Sequence, residues 1–222
     1  MHIKTISVYG CGGTGSHVLH GLARIDYMMS MWNKQKRFHV SAYDPDVVEH
    51  GNIGRQSFFP GDVDQNKAEV LCRRINTFYH TRWRAYSNKA PSSDKVDLVI
   101  SCVDTVKSRE AIAKSWQKEG AYMIDCGNSR TSGQILIGQF KGELPNLYQE
   151  HNDLIYGDEP EDEPGCVDPE LRQSLFTNST IAQLACNYVW NIVRWNKIQN
   201  RGIFLDIDKG VANSIKIDKD KP

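Results

Sequence analysis

Short apolar runs alternate with amphipathic stretches through roughly the first half of the chain. The apolar runs have the residue types of buried strands, and the amphipathic stretches carry apolar residues at helical spacing. The predicted strands are residues 3–9, 38–43, 82–86, 96–103 and 121–126. One helix is predicted to begin after residue 15, and two more are predicted at 64–79 and 107–119. Residues 26–37, which are polar and Met-rich, are predicted as a helix extension or an insertion. This alternation is typical of an α/β protein with a doubly wound, mostly parallel sheet.

The next part of the chain departs from this alternation. Residues 133–140 form another apolar run, and there is no room for a crossover helix before it, so this strand is predicted to pair antiparallel. Residues 143–169 are acidic, irregular and interrupted by four prolines. Loops of this length are uncommon unless they are functional or disordered.

A helix and a hairpin are predicted for the C-terminal residues 178–217. The helix has a regular apolar stripe from Ile181 to Val193. Its predicted N-cap is one of the residues Asn178, Ser179 and Thr180. The hairpin is predicted to turn at Lys209–Gly210. We therefore expect residues 1–222 to form a single domain whose sheet ends in antiparallel strands.

Charge and hydropathy exclude several classes of function. The 27 basic and 27 acidic residues give a formal net charge of zero, so neither a nucleic acid nor a membrane is expected as a partner. No apolar run approaches the roughly 18 residues of a membrane-spanning helix, and residues 1–9 lack a secretory signal core. The six cysteines are widely spaced. Together these features predict a protein of the reducing cytoplasm.

A glycine motif joins the first predicted strand to the first predicted helix. It is Gly10-x-Gly12-x-x-Gly15, with Gly13 and Thr14 inside it. In this context the glycines allow a tight turn, a phosphate close to the backbone and close helix packing. The helix N-terminus offers free N–H groups and partial positive charge to an anion. The motif predicts nucleotide binding, with a tight turn without a ligand as the alternative.

Polar residues that suit a nucleotide follow the second predicted strand. Asp44 ends that strand, where a carboxylate can accept hydrogen bonds from ribose hydroxyls; the alternative is a solvated turn residue before Pro45. A second group of polar residues, farther along the chain, includes an Arg and a Lys. Such side chains bind phosphate oxygens, and a site for NAD would not require both of them. Taken singly, each is better explained as a surface residue. The group consists of Asn52, Arg55, Gln56 and Lys67.

Asp104 follows the strand predicted at 96–103. It is therefore expected at the carboxyl edge of the sheet, where ligands of open α/β sheets bind. A carboxylate that faces phosphates repels them unless Mg²⁺ lies between the two, so Asp104 is predicted as a metal ligand. The alternative is an N-cap for the following helix.

Five blocks of sequence occur in an order that resembles the ThiF/MoeB/E1 family, whose enzymes activate ubiquitin-like proteins and sulfur carriers. The blocks are GCGGTGS at 10–16, DPDVVE at 44–49, NIGRQSF at 52–58, NKAEV at 66–70 and CVDT at 102–105. Beyond these blocks the resemblance is looser, at residues 127–134 and 166–168. In its general sequence pattern, the chain also resembles the ThiF-like proteins of bacterial plasmid-type PRTRC gene cassettes.

The resemblance implies a Rossmann-like fold and a specific reaction. ATP would adenylate the C-terminal glycine carboxylate of a ubiquitin-like or sulfur-carrier partner, and two copies of the chain would form a homodimer. It places ribose on Asp44, phosphates near Asn52, Arg55 and Lys67, and Mg²⁺ on Asp104. The implied ATP-binding residues are Gly10, Gly12, Gly13, Thr14, Gly15, Asp44, Asp46, Asn52, Arg55, Gln56 and Lys67, with catalytic roles for Arg55, Lys67 and Asp104.

Some features depart from the family pattern. The two C-x-x-C pairs of the family's zinc site are missing, so no zinc is expected. In many dimers of the family, a basic residue that precedes the first strand of one copy reaches the ATP of the other copy. This sequence has no obvious source of such a residue. Cys166 is a candidate for a thioester, although its acidic neighbours would raise the pKa of the thiol, which favours an inert loop residue.

Two other functions remain open. A NAD-dependent oxidoreductase explains the glycine motif and Asp44, but it leaves Arg55, Lys67 and Asp104 unexplained. A nucleotide-binding or scaffold module of the same fold, without turnover, is consistent with the missing basic residue.

Overall fold

The computed structural model describes residues 3–33, 37–88, 95–147 and 174–217. Within these residues the strands are β1 (Thr5–Tyr9), β2 (His39–Tyr43), β3 (Arg84–Tyr86), β4 (Leu98–Ser101), β5 (Tyr122–Asn128), β6 (Ser132–Gln139), β7 (Gly202–Asp206) and β8 (Val211–Ile215). The α-helices are α1 (Gly13–Trp32), α2 (Lys67–Tyr79), α3 (Val106–Ser115) and α4 (Thr177–Trp195).

The described strands form one mixed sheet in the order β3–β2–β1–β4–β5–β6–β7–β8. From β3 to β5 each strand pairs with its neighbour in parallel, whereas β6, β7 and β8 pair antiparallel. The predicted fold class, a doubly wound and mostly parallel sheet with antiparallel C-terminal strands, is confirmed. The predicted hairpin is β7–β8, and Gly210 at its turn has a φ of +63°.

Helices cover both faces of the sheet. The apolar stripes of α1, α2 and α4 pack on one face, against alternate strand residues such as Val8 and Ile100. On the other face, Ile112 of α3 and the adjacent Trp116 pack near Val99. The connection from β1 to β2 therefore runs over one face and the connection from β4 to β5 over the other. In doubly wound sheets such a reversal of direction opens a crevice, here between the carboxyl ends of β1 and β4.

The polar stretch at 26–37 begins as an extension of α1, which continues to Trp32. Asp26 is fully buried, and its carboxylate accepts hydrogen bonds from Arg37 Nη2 at 2.6 Å and from the backbone N–H of Phe38 at 3.0 Å. Because a buried charge is costly unless it is paired, these bonds allow the helix to keep an acid on its inner face.

Several helix ends differ from the predictions. α1 begins at Gly13 rather than after residue 15, and α2 begins at Lys67 rather than at 64. α3 ends at Ser115 rather than 119, since Trp116 turns into the core and is 1% exposed. The N-cap of α4 is Phe176, with no side-chain cap, so the predicted cap at 178–180 is wrong.

Some predictions concern residues that the structure does not describe. Of the acidic segment 143–169, residues 143–147 are described, and they include the buried Leu144 and Leu147. Cys166 lies outside the described residues, and the single domain spanning 1–222 stays a prediction. Within the described residues, none of the helices combines the length and the apolar character needed to span a bilayer.

Candidate functional site

The glycine turn lies at the crevice between β1 and β4. Gly10 has a φ of +84°, and its N–H donates to the carbonyl of Tyr43 at 2.9 Å, which fixes the turn to the end of β2. The N-cap of α1 is Gly12, which has no side chain to cap the helix, and the first turn of α1 carries no acidic side chain. Unsatisfied N–H groups and the positive end of a 20-residue helix therefore face this point, an arrangement that binds anions.

The glycines of the turn differ in the space around them. A Cβ atom at Gly15 would lie 1.8 Å from the carbonyl oxygen of Gly10, and one at Gly10 would lie 2.7 Å from that of Cys102. These two glycines allow α1 and β4 to approach the turn. Among the residues that the structure describes, a Cβ at Gly12 would meet only the amide of Gln56, at 3.7 Å or more. Gly12 is thus the position of the motif with room for another group to approach the backbone.

Asp44 is buried and accepts two backbone hydrogen bonds. The N–H of Cys11 donates to Oδ2 at 2.6 Å, and the N–H of Asp46 donates to Oδ1 at 2.9 Å. Burial raises the pKa of Asp44, although these hydrogen bonds and the charge of Lys67 act in the opposite direction. Each carboxylate oxygen keeps a further lone pair, so the group that shapes the turn can still accept a hydroxyl.

Lys67 is directed toward the same turn. It is buried, and its Nζ lies 3.3 Å from Oδ2 of Asp46, which is exposed. Its positive charge acts on both Asp44 and the thiol of Cys11. Asn66 places the lysine: it caps α2 by accepting from the N–H of Glu69, and its Nδ2 donates to the carbonyls of Asp44 and Asp46.

The segment with Asn52, Arg55 and Gln56 is docked on the first turns of α1. The N–H of Ser57 donates to Oγ of Ser16 at 3.0 Å, and Nε2 of His17 donates to the carbonyl of Arg55 at 3.3 Å. The carbonyl can only accept, so the ring nitrogen is the donor. Burial lowers the pKa of His17, which favours the neutral ring, although the hydrogen bond to Arg55 acts in the opposite direction.

The side chains of this segment are mostly buried beside the turn. Oδ1 of Asn52 accepts from the N–H of Glu49 at 3.0 Å. Nε of Arg55 donates to the carbonyl of Gly51 at 3.4 Å. Gln56 lies against Gly12, and within the described part of the chain its Oε1 has no hydrogen-bond partner.

Asp104 is exposed at the carboxyl edge of the sheet, three positions beyond the end of β4. Thr105 is the N-cap of α3, and its Oγ1 accepts from the N–H of Ser108 at 3.3 Å. The alternative prediction that Asp104 caps this helix is therefore wrong. Its carboxylate remains available at the edge where the turn of Gly10 contacts Cys102.

The structure thus gathers most of the predicted residues. The glycine turn, Asp44, Asp46, Gln56 and Lys67 are joined by direct contacts, and the backbone of Arg55 docks beside them. Asp104 shares the edge without a described contact to them, and Cys166 is not described.

Three asparagines were missed by the sequence reasoning. Asn66 could have been found, because Asn before a helical pattern is a favoured N-cap. Asn128 gave no such signal, and Asn178 was predicted only as an N-cap candidate. The two meet in the folded chain, where Nδ2 of Asn128 donates to Oδ1 of Asn178 at 2.9 Å across 50 positions of sequence.

The fold and the glycine turn define a Rossmann-like α/β protein with a candidate anion site at its switch point. The model of the ThiF family matches residues 2–212, and the chain belongs to this family.

Two curated relatives illustrate the similarity. Ubiquitin-like modifier-activating enzyme 5 of Branchiostoma floridae is 28% identical over 154 residues, covering 60% of this chain and 36% of the relative. Adenylyltransferase and sulfurtransferase UBA4 of Yarrowia lipolytica is 26% identical over 146 residues, covering 63% and 34%. The chain thus spans about a third of the length of these relatives.

A solved structure shares the fold. E. coli MccB, crystallised with ATP, aligns with a TM-score of 0.64 and 16% identity, covering 96% of this chain and 63% of MccB. At this identity the match shows a common fold.

Proposed function

We propose that this chain uses ATP to adenylate the C-terminal glycine carboxylate of a ubiquitin-like or sulfur-carrier protein. The observation that carries the proposal is that the buried Lys67 ammonium, paired with Asp46, acts on Asp44 and Cys11 in the turn that leads to the uncapped N-terminus of α1. Two sources of positive charge that face one turn suit a polyphosphate. Membership of the ThiF family supports the reaction, as do relatives named for modifier activation and adenylyl transfer.

In this proposal each part of ATP has a named neighbour. The phosphates lie over Gly12 and along the first turn of α1, next to Lys67. Asn52, Arg55 and Gln56 reach the same phosphates from the docked segment. The ribose hydroxyls use the remaining lone pairs of Asp44, while Asp46 orients Lys67.

The residues present fit a magnesium ion held largely by its substrate. Mg²⁺ commonly takes one or two protein carboxylates and completes its shell with phosphate oxygens and water. Among the described residues there is no cluster of three or more metal-binding side chains, so Asp104 would be the protein ligand at this edge. Such an ion would neutralise phosphate charge.

The reaction is a nucleotidyl transfer. A carboxylate oxygen of the partner's terminal glycine attacks the α-phosphorus, the bond from that phosphorus to the bridging oxygen breaks, and pyrophosphate leaves with an acyl-adenylate remaining. Such transfers depend on positioning and on stabilising charge rather than on covalent chemistry by the protein. The cations and N–H groups of the turn supply that stabilisation.

ATP–pyrophosphate exchange tests the proposal. The chain is incubated with ATP, Mg²⁺, labelled pyrophosphate and small proteins that end in glycine and are encoded near its gene. Exchange is expected only with the cognate partner, and Arg55→Ala or Asp104→Ala should lower it about a hundredfold or more. Arg73→Ala and Asp208→Ala, which change exposed residues outside the site, serve as matched controls and should keep full exchange.

The other outcomes identify the alternatives. ATP binding without exchange for any partner would indicate a nucleotide-binding module. Binding of NAD but not of ATP would indicate an oxidoreductase. Exchange that survives both substitutions would contradict the assigned site.

We also propose that the chain acts as a homodimer in a reducing compartment. Exposed apolar side chains on α1 and α4, among them Met31, Trp32 and Trp195, support self-association. The cysteines within the described residues are all free thiols, which supports the compartment. Cys166 stays a hypothesis as an acyl carrier.

A further inference from the structure

Asn178 lies at the junction of three elements beside the glycine turn. It belongs to the first turn of α4 and is 1% exposed. Its Oδ1 accepts hydrogen bonds from Oγ1 of Thr14 at 3.2 Å and from Nδ2 of Asn128 at 2.9 Å. Thr14 belongs to the first turn of α1, and Asn128 is the last residue of β5. One carboxamide therefore connects the starts of two helices to the end of a strand.

The same amide also lies against the backbone of the turn. A Cβ atom at Gly13 would lie 2.6 Å from Nδ2 of Asn178 and 2.7 Å from its Oδ1. Gly13 is the first residue of α1, so its N–H is among those that an anion at this helix end would meet. The position of Asn178 consequently limits where the first turn of α1 can lie.

The chemistry of the side chain matches this position. An amide oxygen accepts two hydrogen bonds without bringing a charge into a buried site, and aspartate could do so only with a negative charge next to the proposed phosphates. Alanine would leave Oγ1 of Thr14 without this acceptor and would open space against Gly13. Either change alters the anion site without removing a group that touches the ligand.

We propose that Asn178 is a positioning residue for nucleotide binding. It holds the first turn of α1 so that the N–H groups at Gly12–Thr14 point to the phosphates, and it ties their position to α4. This inference rests on the proposed function, since ATP is the ligand whose binding Asn178 supports. It assigns to the start of α4 a part in the nucleotide site that the sequence motifs do not contain.

The test compares ATP affinity with stability in matched variants. Binding of ATP with Mg²⁺ is measured by titration calorimetry, well below the onset of unfolding, for Asn178→Ala, Asn178→Asp and Asn187→Ala. Asn187 is an exposed asparagine on the same helix. We expect about tenfold weaker binding for Asn178→Ala, a larger loss for Asn178→Asp, and no change for Asn187→Ala. Lower thermal stability with an ATP affinity within about twofold of wild type would overturn the proposal.

Smaller changes keep the test valid where Asn178→Ala does not fold. Thr14→Val and Asn128→Ala each remove one partner of the amide, and each should weaken ATP binding. Where Asn178→Ala does fold, Thr14→Val should have little further effect in that background. Unchanged affinity in both single variants would contradict the inference.

A measurement without nucleotide separates this inference from the proposed function. Amide hydrogen exchange at the start of α1, where the N–H of Ser16 donates to the carbonyl of Gly12 at 3.0 Å, should be faster in Asn178→Ala than in wild type, and Asn187→Ala should leave it unchanged. If wild type binds no ATP, the proposed function fails, and so does the role of Asn178 in serving it. If wild type binds ATP and exchange in α1 does not change, only the role of Asn178 fails.

Discussion

The carbonyl oxygen of Gly10 leaves no room for a side chain at position 15. A Cβ there would lie 1.8 Å from that oxygen, which belongs to backbone and cannot move without opening the turn. By contrast, a Cβ at Gly61 would have no atom of the described residues within 4 Å. Gly15→Ala should therefore lower the free energy of unfolding by about 3 kcal/mol or more, whereas Gly61→Ala should change it by about 0.5 kcal/mol or less.

Urea unfolding followed by circular dichroism measures both variants. Equal stability of Gly15→Ala and wild type would show that α1 does not approach the turn as closely as described. A large loss in Gly61→Ala would show that the effect of alanine is not steric.

Single residues also show what the glycine motif could and could not predict. The spacing of Gly10, Gly12 and Gly15 was sufficient to predict the turn, because each follows from local backbone needs. The need for glycine at position 13 depends on a distant residue, because the side chain of Asn178 occupies the space that a Cβ at Gly13 would take. Asn178 lies 165 positions later in the chain, so its contact with Gly13 cannot be predicted from the local sequence pattern.

Asp97 joins the starts of β1 and β4 at the amino edge of the sheet. Its carboxylate accepts from the N–H groups of Lys4 at 2.8 Å and Thr5 at 2.9 Å, and it pairs with Lys118. Burial alone would raise the pKa of Asp97, but Lys118 and these N–H donors outweigh it, so the pKa is lowered below 3.8. The charged form is thus favoured in the folded state.

A lowered pKa has a defined effect on acid stability. The contribution of Asp97 is present above the unfolded pKa of about 3.8 and is lost as the pH falls through the lower folded value. Asp97→Asn should therefore be less stable than wild type near neutral pH, and the difference should shrink in strong acid. Urea midpoints across that pH range measure it, and a difference that is independent of pH would refute the assignment.

Arg109 connects α3 to β5 and to the loop that carries Asp104. Its Nη1 pairs with the fully buried carboxylate of Asp125, and its Nη2 donates to the carbonyl of Val103 at 3.1 Å. Burial raises the pKa of Asp125, and Arg109 counteracts this. Removing the guanidinium would leave a buried charge without its partner.

Arg109→Ala should accordingly cost about 3–5 kcal/mol in the free energy of unfolding. Lys114→Ala on the same helix removes an exposed cation and should cost about 0.5 kcal/mol or less. Chemical unfolding of both variants gives the comparison. Similar losses in the two would mean that the Arg109–Asp125 pair does not hold α3 on the sheet.

At the scale of elements, the sequence predicted strand and helix types well and their ends less well. Strands β1, β4 and β5 are buried along most of their length, and β2 alternates the buried Val40 and Ala42 with more exposed residues, so burial and pattern agree. The end of α1 was left open because Asp26 in the polar stretch reads as a surface residue, whereas Arg37 and Phe38 satisfy it in the interior. Such tertiary partners cannot be inferred from periodicity.

Considered as a whole, the molecule builds its candidate site from segments far apart in sequence. The order of the strands brings the ends of β1, β2 and β4 together, so Gly10, Asp44 and Asp104 reach one edge of the sheet. Strand alternation predicted this edge, because ligands of doubly wound sheets bind there. The hydrogen bond between Asn128 and Asn178 could not be predicted in this way, since it depends on how α4 packs against the end of β5.

The outer face of α1 and α4 is the other large-scale feature. Met31 is 66% exposed, Trp195 is 61% exposed, and the guanidinium of Arg194 stacks over the rings of Trp32 and Trp195 at 4.5 and 4.3 Å. Exposed groups of Met and Trp residues are typical of interfaces, and a specific interface buries about 800 Å² on each partner. This face is where we expect the second copy of the proposed homodimer.

Light scattering coupled to size-exclusion chromatography tests the dimer. Wild type should show a mass of about twice 25.2 kDa. Met31→Glu should shift it toward 25.2 kDa, since a charge would be buried against apolar groups of the other copy. Val211→Glu, an equally drastic change at an exposed apolar residue of β8, should leave the dimer intact. A wild-type mass of 25.2 kDa at every concentration would refute the homodimer, and a dimer that persists in Met31→Glu would move the interface to another face.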